Sequence, residues 1–325
     1  MQATELQDIA LRAHYAGHFA LKARPFRLTP DPVFYFDSRT HSEALRCLQS
    51  FVHRGEGLAL IYGEVGTGKT LLCKCFLEGL ERKAFNTGLI LNPAMNAKEF
   101  LAEVFRVFDI VPRSHSTKAT MFERLRSLVE TESEKGKQSV LAVDEAQLLS
   151  DELLDLLARH SDSKDKGGSS LRVVLFAQEE LAARLVDRRM RHLRRRITMT
   201  HCLQPLAPDE IRPYIMHRLA TAGSQGLIRF DEDAIERIYR VSRGYARIIN
   251  IISDRCLLVL DERSRTTVTR RIVDQVVRKD AIHTFPGQKT SARGWLRSAF
   301  LVLLGATLAL IFYRSLTMLC PALGL

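Results

Sequence analysis

The stretch G-L-A-L-I-Y-G-E-V-G-T-G-K-T, Gly57 to Thr70, decides how the rest of the chain is read. Residues 57–62 are a short apolar run of strand type, and a helical pattern over 70–82 follows the stretch. Between them, Gly63 to Thr70 spell G-x-x-x-x-G-K-[ST], the phosphate-binding loop pattern, in the strand–loop–helix context it requires. Glycines at 63, 66 and 68 are expected to let the chain curl around a phosphate with its N–H groups inward, where a Cβ would obstruct. Gly63, Glu64, Val65, Gly66, Thr67, Gly68, Lys69, Thr70 and Leu71 together form the expected nucleotide cradle. Lys69 brings a flexible positive charge to the β- and γ-phosphates, and the Thr70 hydroxyl is a ligand for Mg²⁺. The start of the following helix adds its dipole to the anion site.

Outward from this loop, further strand-like runs fall at 87–91, 139–144, 171–177 and 197–203, separated by helical patterns at 97–108, 119–134 and 149–159. Such alternation predicts an α/β fold with a parallel sheet covered by helices. The third run ends V-L-A-V-D-E at Asp144 and Glu145. A carboxylate at the tip of a buried strand downstream of a phosphate loop suits Asp144 to hold Mg²⁺, the Walker B role. Glu145 beside it is placed to activate an attacking water, so the two motifs together point to a nucleoside triphosphatase, with ATP and Mg²⁺ as its ligands. Gln178, at the end of the fourth run, either positions water or senses the γ-phosphate, or is a surface amide at a strand terminus. After Pro205 the strand signals stop, and helical patterns at 208–222, 231–242, 246–260 and 268–280 predict a second, all-helical domain. Arg247 begins one of these helices after a glycine turn; it either reaches back to the γ-phosphate or is an ordinary helix-surface arginine.

The 325-residue composition, 46% hydrophobic and 26% charged, is that of a globular chain and excludes a disordered or collagen-like one. Its net charge of +11 is uneven, because Leu181 to Thr200 hold seven arginines against one aspartate, or +6 of the total. These arginines are a nucleic-acid stripe, a set offered to a neighbouring subunit's nucleotide, or a solvated basic surface. The segment has no aromatic residue to stack on a base, which weighs against single-strand recognition. The cysteines at 47, 73, 75, 202, 256 and 320 form no C-x-x-C pair and read as buried free thiols in a reducing compartment. The N-terminus lacks the basic and apolar regions of a secretory signal.

From Ala299 to Tyr313 the chain runs fifteen residues without a charge. As helix that is about 22 Å, and continuation through Arg314 to Leu319 brings it to about the ~30 Å of a hydrocarbon core. Lys289, Arg293 and Arg297 precede it as a positive-inside flank, with Trp295 as an interfacial anchor. A transmembrane helix over 298–320 is expected, against the alternative of a buried core helix. The polar, basic stretch 283–297 is then a linker and 321–325 a short tail, with the bulk of the chain on the cytoplasmic side.

The lead-in P-F-R-L-T-P-D-P-V-F-Y-F-D-S-R-T-H-S-E-A-L, Pro25 to Leu45, resembles that of the ExeA/GspA (MshM-like) AAA+ ATPases of type II secretion and related pilus systems. Supporting matches are the phosphate loop, Asn92-Pro93, D-E-A-Q from Asp144 to Gln147, L-R-R-R-I from Leu193 to Ile197, and P-Y-I-M-H-R-L-A-T-A-G from Pro213. The resemblance implies an N-terminal extension (1–24), an AAA+ core (25–205) and a helical lid (206–282). It also implies Gln178 as first sensor, Arg247 as second sensor, and Arg196, with Arg194 as second choice, as the arginine finger of a homo-oligomer, possibly a ring. The family's G-Q-P-E-L reads Ala177 to Leu181 as A-Q-E-E-L here, and Ala246 replaces a proline before the sensor arginine. The implied protein is an ATPase anchored in a bacterial inner membrane that drives or regulates assembly of a secretion, pilus or exopolysaccharide export apparatus, with an inner-membrane partner similar to GspB. The eleven residues after Arg314 are too few for the wall-binding domain of secretion-type members. A DNA-associated AAA+ regulator of the transposition type, with nucleic acid as partner, is the alternative, and a nucleotide-dependent scaffold with little turnover is a third reading.

Overall fold

The β1 strand, Leu58–Tyr62, shows why a parallel sheet forms here. Its side chains alternate between two apolar clusters: Leu58 and Leu60 enter one, Ala59 and Ile61 the other. A strand buried on both faces needs a continuous apolar run, and this one has it. β3 (Gln138–Val143) and β4 (Arg172–Ala177) repeat the pattern, with Leu141, Val143, Val173 and Leu175 on the first face and Val140, Ala142, Val174 and Phe176 on the second. β2 (Phe85–Ile90) and β5 (Ile197–Cys202) complete a five-stranded parallel sheet in the order β2-β3-β4-β1-β5. The computed structural model describes residues 15–54, 57–110, 117–161 and 170–279, which fall within one compact unit.

Helices close both faces. On the second face lie α1 (Arg39–Arg54) and α2 (Lys69–Glu78). Ala44, Leu48, Phe51 and Val52 recur at helical spacing along α1 and meet Leu72, Cys73 and Phe76 of α2. On the first face lie α3 (Ala97–Val107), α4 (Lys118–Glu134) and α5 (Asp151–His160). Their starts are written locally: Asn96 and Glu99 form a capping box on α3, Thr117 caps α4 and Ser150 caps α5. Burying one Leu or Phe of these faces contributes roughly 1.5–3 kcal/mol, so the two layers fix the register of the sheet. Two short helices, α6 (Glu179–Arg184) and α7 (Arg191–Arg194), link β4 to β5.

Beyond β5 come α8 (Pro208–Thr221), α9 (Glu232–Ser242), α10 (Ala246–Glu262) and α11 (Arg270–Lys279). The expectation of an all-helical region needs one correction. β6 (Arg229–Phe230) and β7 (Thr267–Val268) pair in parallel and tie the starts of α9 and α11 together. Two-residue strands carry no alternation, so hydropathy gives no sign of them. The cysteines also differ from a uniformly buried set: Cys73 and Cys256 are buried, Cys75 and Cys202 half-buried and Cys47 exposed, all free thiols. Among the described residues no group of His, Cys, Asp or Glu is arranged to hold a metal by itself, and no helix is long and apolar enough to cross a membrane. The expected linker, span and tail (283–325) and most of the expected N-terminal extension lie outside the described residues.

Candidate functional site

In a parallel sheet the loops after the strand C-termini share one edge, and ligands gather there. Here that edge carries Gly63 after β1, Asp144 and Glu145 after β3, and Gln178 after β4. The phosphate loop closes on itself: the Thr67 hydroxyl donates to the Glu64 carbonyl oxygen at 2.9 Å. Gly68 has φ 99°, and a Cβ on it would stand 2.8 Å from Nε2 of His41. Gly63 differs from expectation. It has no left-handed backbone, and a Cβ there would meet the Leu203 carbonyl oxygen at 2.4 Å. The chain leaving β5 passes too close for a side chain, so Gly63 is a packing glycine and the curl is made at Gly66 and Gly68.

Lys69 is buried, and its Nζ donates to the carbonyl oxygens of Gly63 and Glu64 at 2.8 Å each, inside the curl. Burial lowers this ammonium below its ordinary value, opposed by the carboxylates of Glu145 and Asp144. The Thr70 hydroxyl donates to Asp144 Oδ2 at 2.6 Å. Asp144 is 2% exposed, and burial raises its carboxyl above the usual range, offset by hydrogen bonds from Thr70 and from the Glu145 N–H. A hydroxyl and a carboxylate in contact at the mouth of a phosphate loop fit Mg²⁺, which keeps several waters and takes its other ligands from phosphate. Glu145 has φ 51°, and its Oε2 accepts hydrogen bonds from the side-chain amides of Gln147 and Gln178, the latter at 3.1 Å.

The start of α10 docks directly on the loop. The Arg247 N–H donates to the Gly66 carbonyl oxygen at 3.3 Å, and the Tyr245 hydroxyl donates to the Glu64 carboxylate. Burial and that carboxylate hold the Tyr245 phenol above its ordinary value, so it stays a donor. A cavity of about 300 Å³ lies between Lys69, Thr70, Glu145, Gln178, Arg247 and the lead-in residues Arg27 to Asp31. Val65 and Leu71 also line it. Arg218 of α8 fastens the lead-in over this cavity, donating to the carbonyl oxygens of Pro25 (2.5 Å) and Arg27 (3.3 Å). Lys74 of α2 holds the Pro30 carbonyl oxygen from the other side at 3.1 Å.

The edge thus gathers Lys69, Thr70, Asp144, Glu145, Gln178 and Arg247. It does not gather Arg194 and Arg196. Arg194 is exposed and Arg196 half-buried, and the Arg196 carbonyl oxygen bonds the Leu58 N–H at the opposite, N-terminal end of β1. Pattern reading also missed three contributors. His41 lies behind Gly68, Tyr245 holds Glu64, and Arg184, one of the clustered arginines, donates to the carbonyl oxygens of Gln147 (2.9 Å) and Leu149 (3.1 Å). Nothing in the local sequence separates Arg184 from the exposed arginines after it.

Comparison with known proteins places this geometry in context. Residues 52–185 match the model of an AAA domain. General secretion pathway protein A of Aeromonas hydrophila is 34% identical over 244 residues, which are 75% of this chain and 44% of that protein. The chain therefore spans less than half the length of this relative. Among solved structures, Cdc6p of Pyrobaculum aerophilum aligns with a TM-score of 0.62 at 19% identity, covering 81% of this chain and 74% of that one. The Aeropyrum pernix ORC1 protein in complex with DNA aligns at 0.58 and 18% identity, covering 80% and 72%. At such identities these structures share the fold and no more.

Proposed function

We propose that this chain, which belongs to the AAA+ ATPases of the General secretion pathway protein A family, hydrolyses ATP at interfaces between its own copies. The observation that carries the reading is one edge of one sheet bearing a buried lysine in a curled loop, a hydroxyl–carboxylate pair and a second carboxylate. Lys69 and the loop N–H groups bind the phosphates, and the lid helix start at Arg247 reaches the γ-phosphate from the other side. Thr70 and Asp144 would hold Mg²⁺, which would supply neutralising charge to the phosphates when bound. Glu145 accepts the proton of the water whose oxygen bonds the γ-phosphorus as the bond to the ADP oxygen breaks. Gln178 orients Glu145 and the water. Arg196, or Arg194 in its place, comes from a neighbouring copy to stabilise the transferring phosphoryl group.

The wider role follows from the relative's name and from the apolar segment. The chain is an inner-membrane ATPase, anchored by 298–320 with its bulk cytoplasmic, that drives or regulates assembly of a secretion, pilus or exopolysaccharide export apparatus beside a partner similar to GspB. The DNA-associated alternative draws on the exposed arginines 188, 189, 191, 194 and 195, and the apolar segment, for which such a regulator has no use, weighs against it. Phosphate release from ATP tests the core of the reading. Wild type should hydrolyse, Glu145→Gln should bind ATP without turnover, and Lys69→Ala should fail to bind. Retained affinity in Lys69→Ala, or undiminished turnover in Glu145→Gln, overturns it.

A further inference from the structure

Glu145 is backbone-strained. Its φ of 51° lies where non-glycine residues are uncommon, and such conformations persist only where neighbours over-determine them. One such neighbour is Gln147. Its Nε2 donates to Glu145 Oε2. Its Oε1 accepts the backbone N–H of Gln178 at 3.1 Å, and the Gln178 side chain returns to the same Glu145 oxygen at 3.1 Å. The three residues close a ring. The amide orientation is fixed by its partners, because only Nε2 can serve a carboxylate and only Oε1 can serve an N–H. From behind, Arg184 donates to the Gln147 carbonyl oxygen at 2.9 Å and pairs with Asp151 at 2.5 Å, which locks the turn to α6 and α5.

We propose that Gln147 is a positioning residue for ATP hydrolysis: it holds Oε2 of Glu145 so that the other carboxylate oxygen faces the attacking water. This rests on the assignment of Glu145 as the general base. Asn is a methylene shorter, Leu offers neither group, and Glu offers no donor when ionised. The second amide, from Gln178, is itself tied to Gln147 through its backbone N–H.

The test measures kcat, KM for ATP and the affinity for a fluorescent ATP analogue on the full chain, in wild type, Gln147→Leu and Gln147→Glu. Misplacing a catalytic group by about 1 Å can cost ~10²-fold, so kcat should fall about 10- to 100-fold in Gln147→Leu with analogue affinity and KM unchanged. Gln147→Glu is isosteric and keeps the acceptor for the Gln178 N–H while losing the donor to Glu145. It should lower kcat with analogue affinity unchanged, as the Leu variant does. A merely structural Gln147 would lower kcat and nucleotide affinity together. The proposal is overturned if kcat of Gln147→Leu is unchanged or raised, if kcat and affinity fall together, or if Gln147→Glu turns over like wild type. Loss of the general-base reading shows separately, as turnover in Glu145→Gln equal to wild type.

Discussion

Acidification from pH 7 to pH 5 should destabilise this protein in part through His41. The ring is 7% exposed. Its Nδ1 lies 2.6 Å from the Ser38 hydroxyl, its edge meets Tyr35, and its Nε2 stands behind Gly68 of the phosphate loop. Burial pushes its pKa from the ordinary 6.5 down to about 4; Glu210, the Thr67 backbone and Asp37 pull it up, while His201 opposes them. The native state therefore keeps the ring neutral where the unfolded chain takes up a proton. The stability this confers is complete above pH 6.5, declines as pH falls, and is exhausted near pH 4. At 1.36 kcal/mol per pH unit, the loss at pH 5 is about 2 kcal/mol. Urea midpoints of wild type and His41→Gln at pH 7 and pH 5 isolate the term, because the other buried groups titrate in both proteins. The drop on acidification should be about 2 kcal/mol smaller in the variant. Equal drops in the two proteins would refute the account of His41 as a neutral support for the loop.

Two further outcomes bear on assembly and anchorage. Arg196→Ala should leave nucleotide binding intact and cut hydrolysis about a thousandfold, and mixing it with Glu145→Gln should restore some active interfaces; a dead mixture of co-assembled proteins would sink the trans arginine. Removal of 298–325 should move the protein from the membrane fraction to the supernatant, and its persistence with membranes would contradict the span.

What the sequence made legible follows from how local each signal is. The strands at 58–62, 138–143 and 172–177 were readable because burial on both faces demands an unbroken apolar run. The loop glycines were readable as a motif, yet the reason for Gly63 was not, since it depends on Leu203 arriving from the far end of β5. The lead-in resembled a family pattern, but only the folded chain shows His41 of that pattern meeting Gly68, and Arg218 fastening Pro25 and Arg27. Arginine count over 181–200 was equally blind to use: Arg184 is tied to the Glu145 turn, while Arg188, Arg189, Arg191, Arg194 and Arg195 face solvent. Each missed role is a contact between segments distant in sequence, which composition and period cannot encode.

The direction of the strands decides what the remaining arginines can do. β1 and β5 run parallel, with Leu58 opposite Ile197 and Tyr62 opposite Cys202. The phosphate loop begins where β1 ends, whereas Arg194, Arg195 and Arg196 stand just before β5 begins. The length of β1, about 16 Å at ~3.3 Å per residue, therefore separates these arginines from their own phosphate loop. Arg184 lies on the catalytic edge but is occupied with Gln147, Leu149 and Asp151. For Arg194, Arg195 or Arg196 to act on nucleotide as proposed above, that nucleotide would have to belong to another copy. Under that proposal the surface that gives the arginine would differ from the surface that receives it, a head-to-tail contact in which only a closed ring of copies would complete every site.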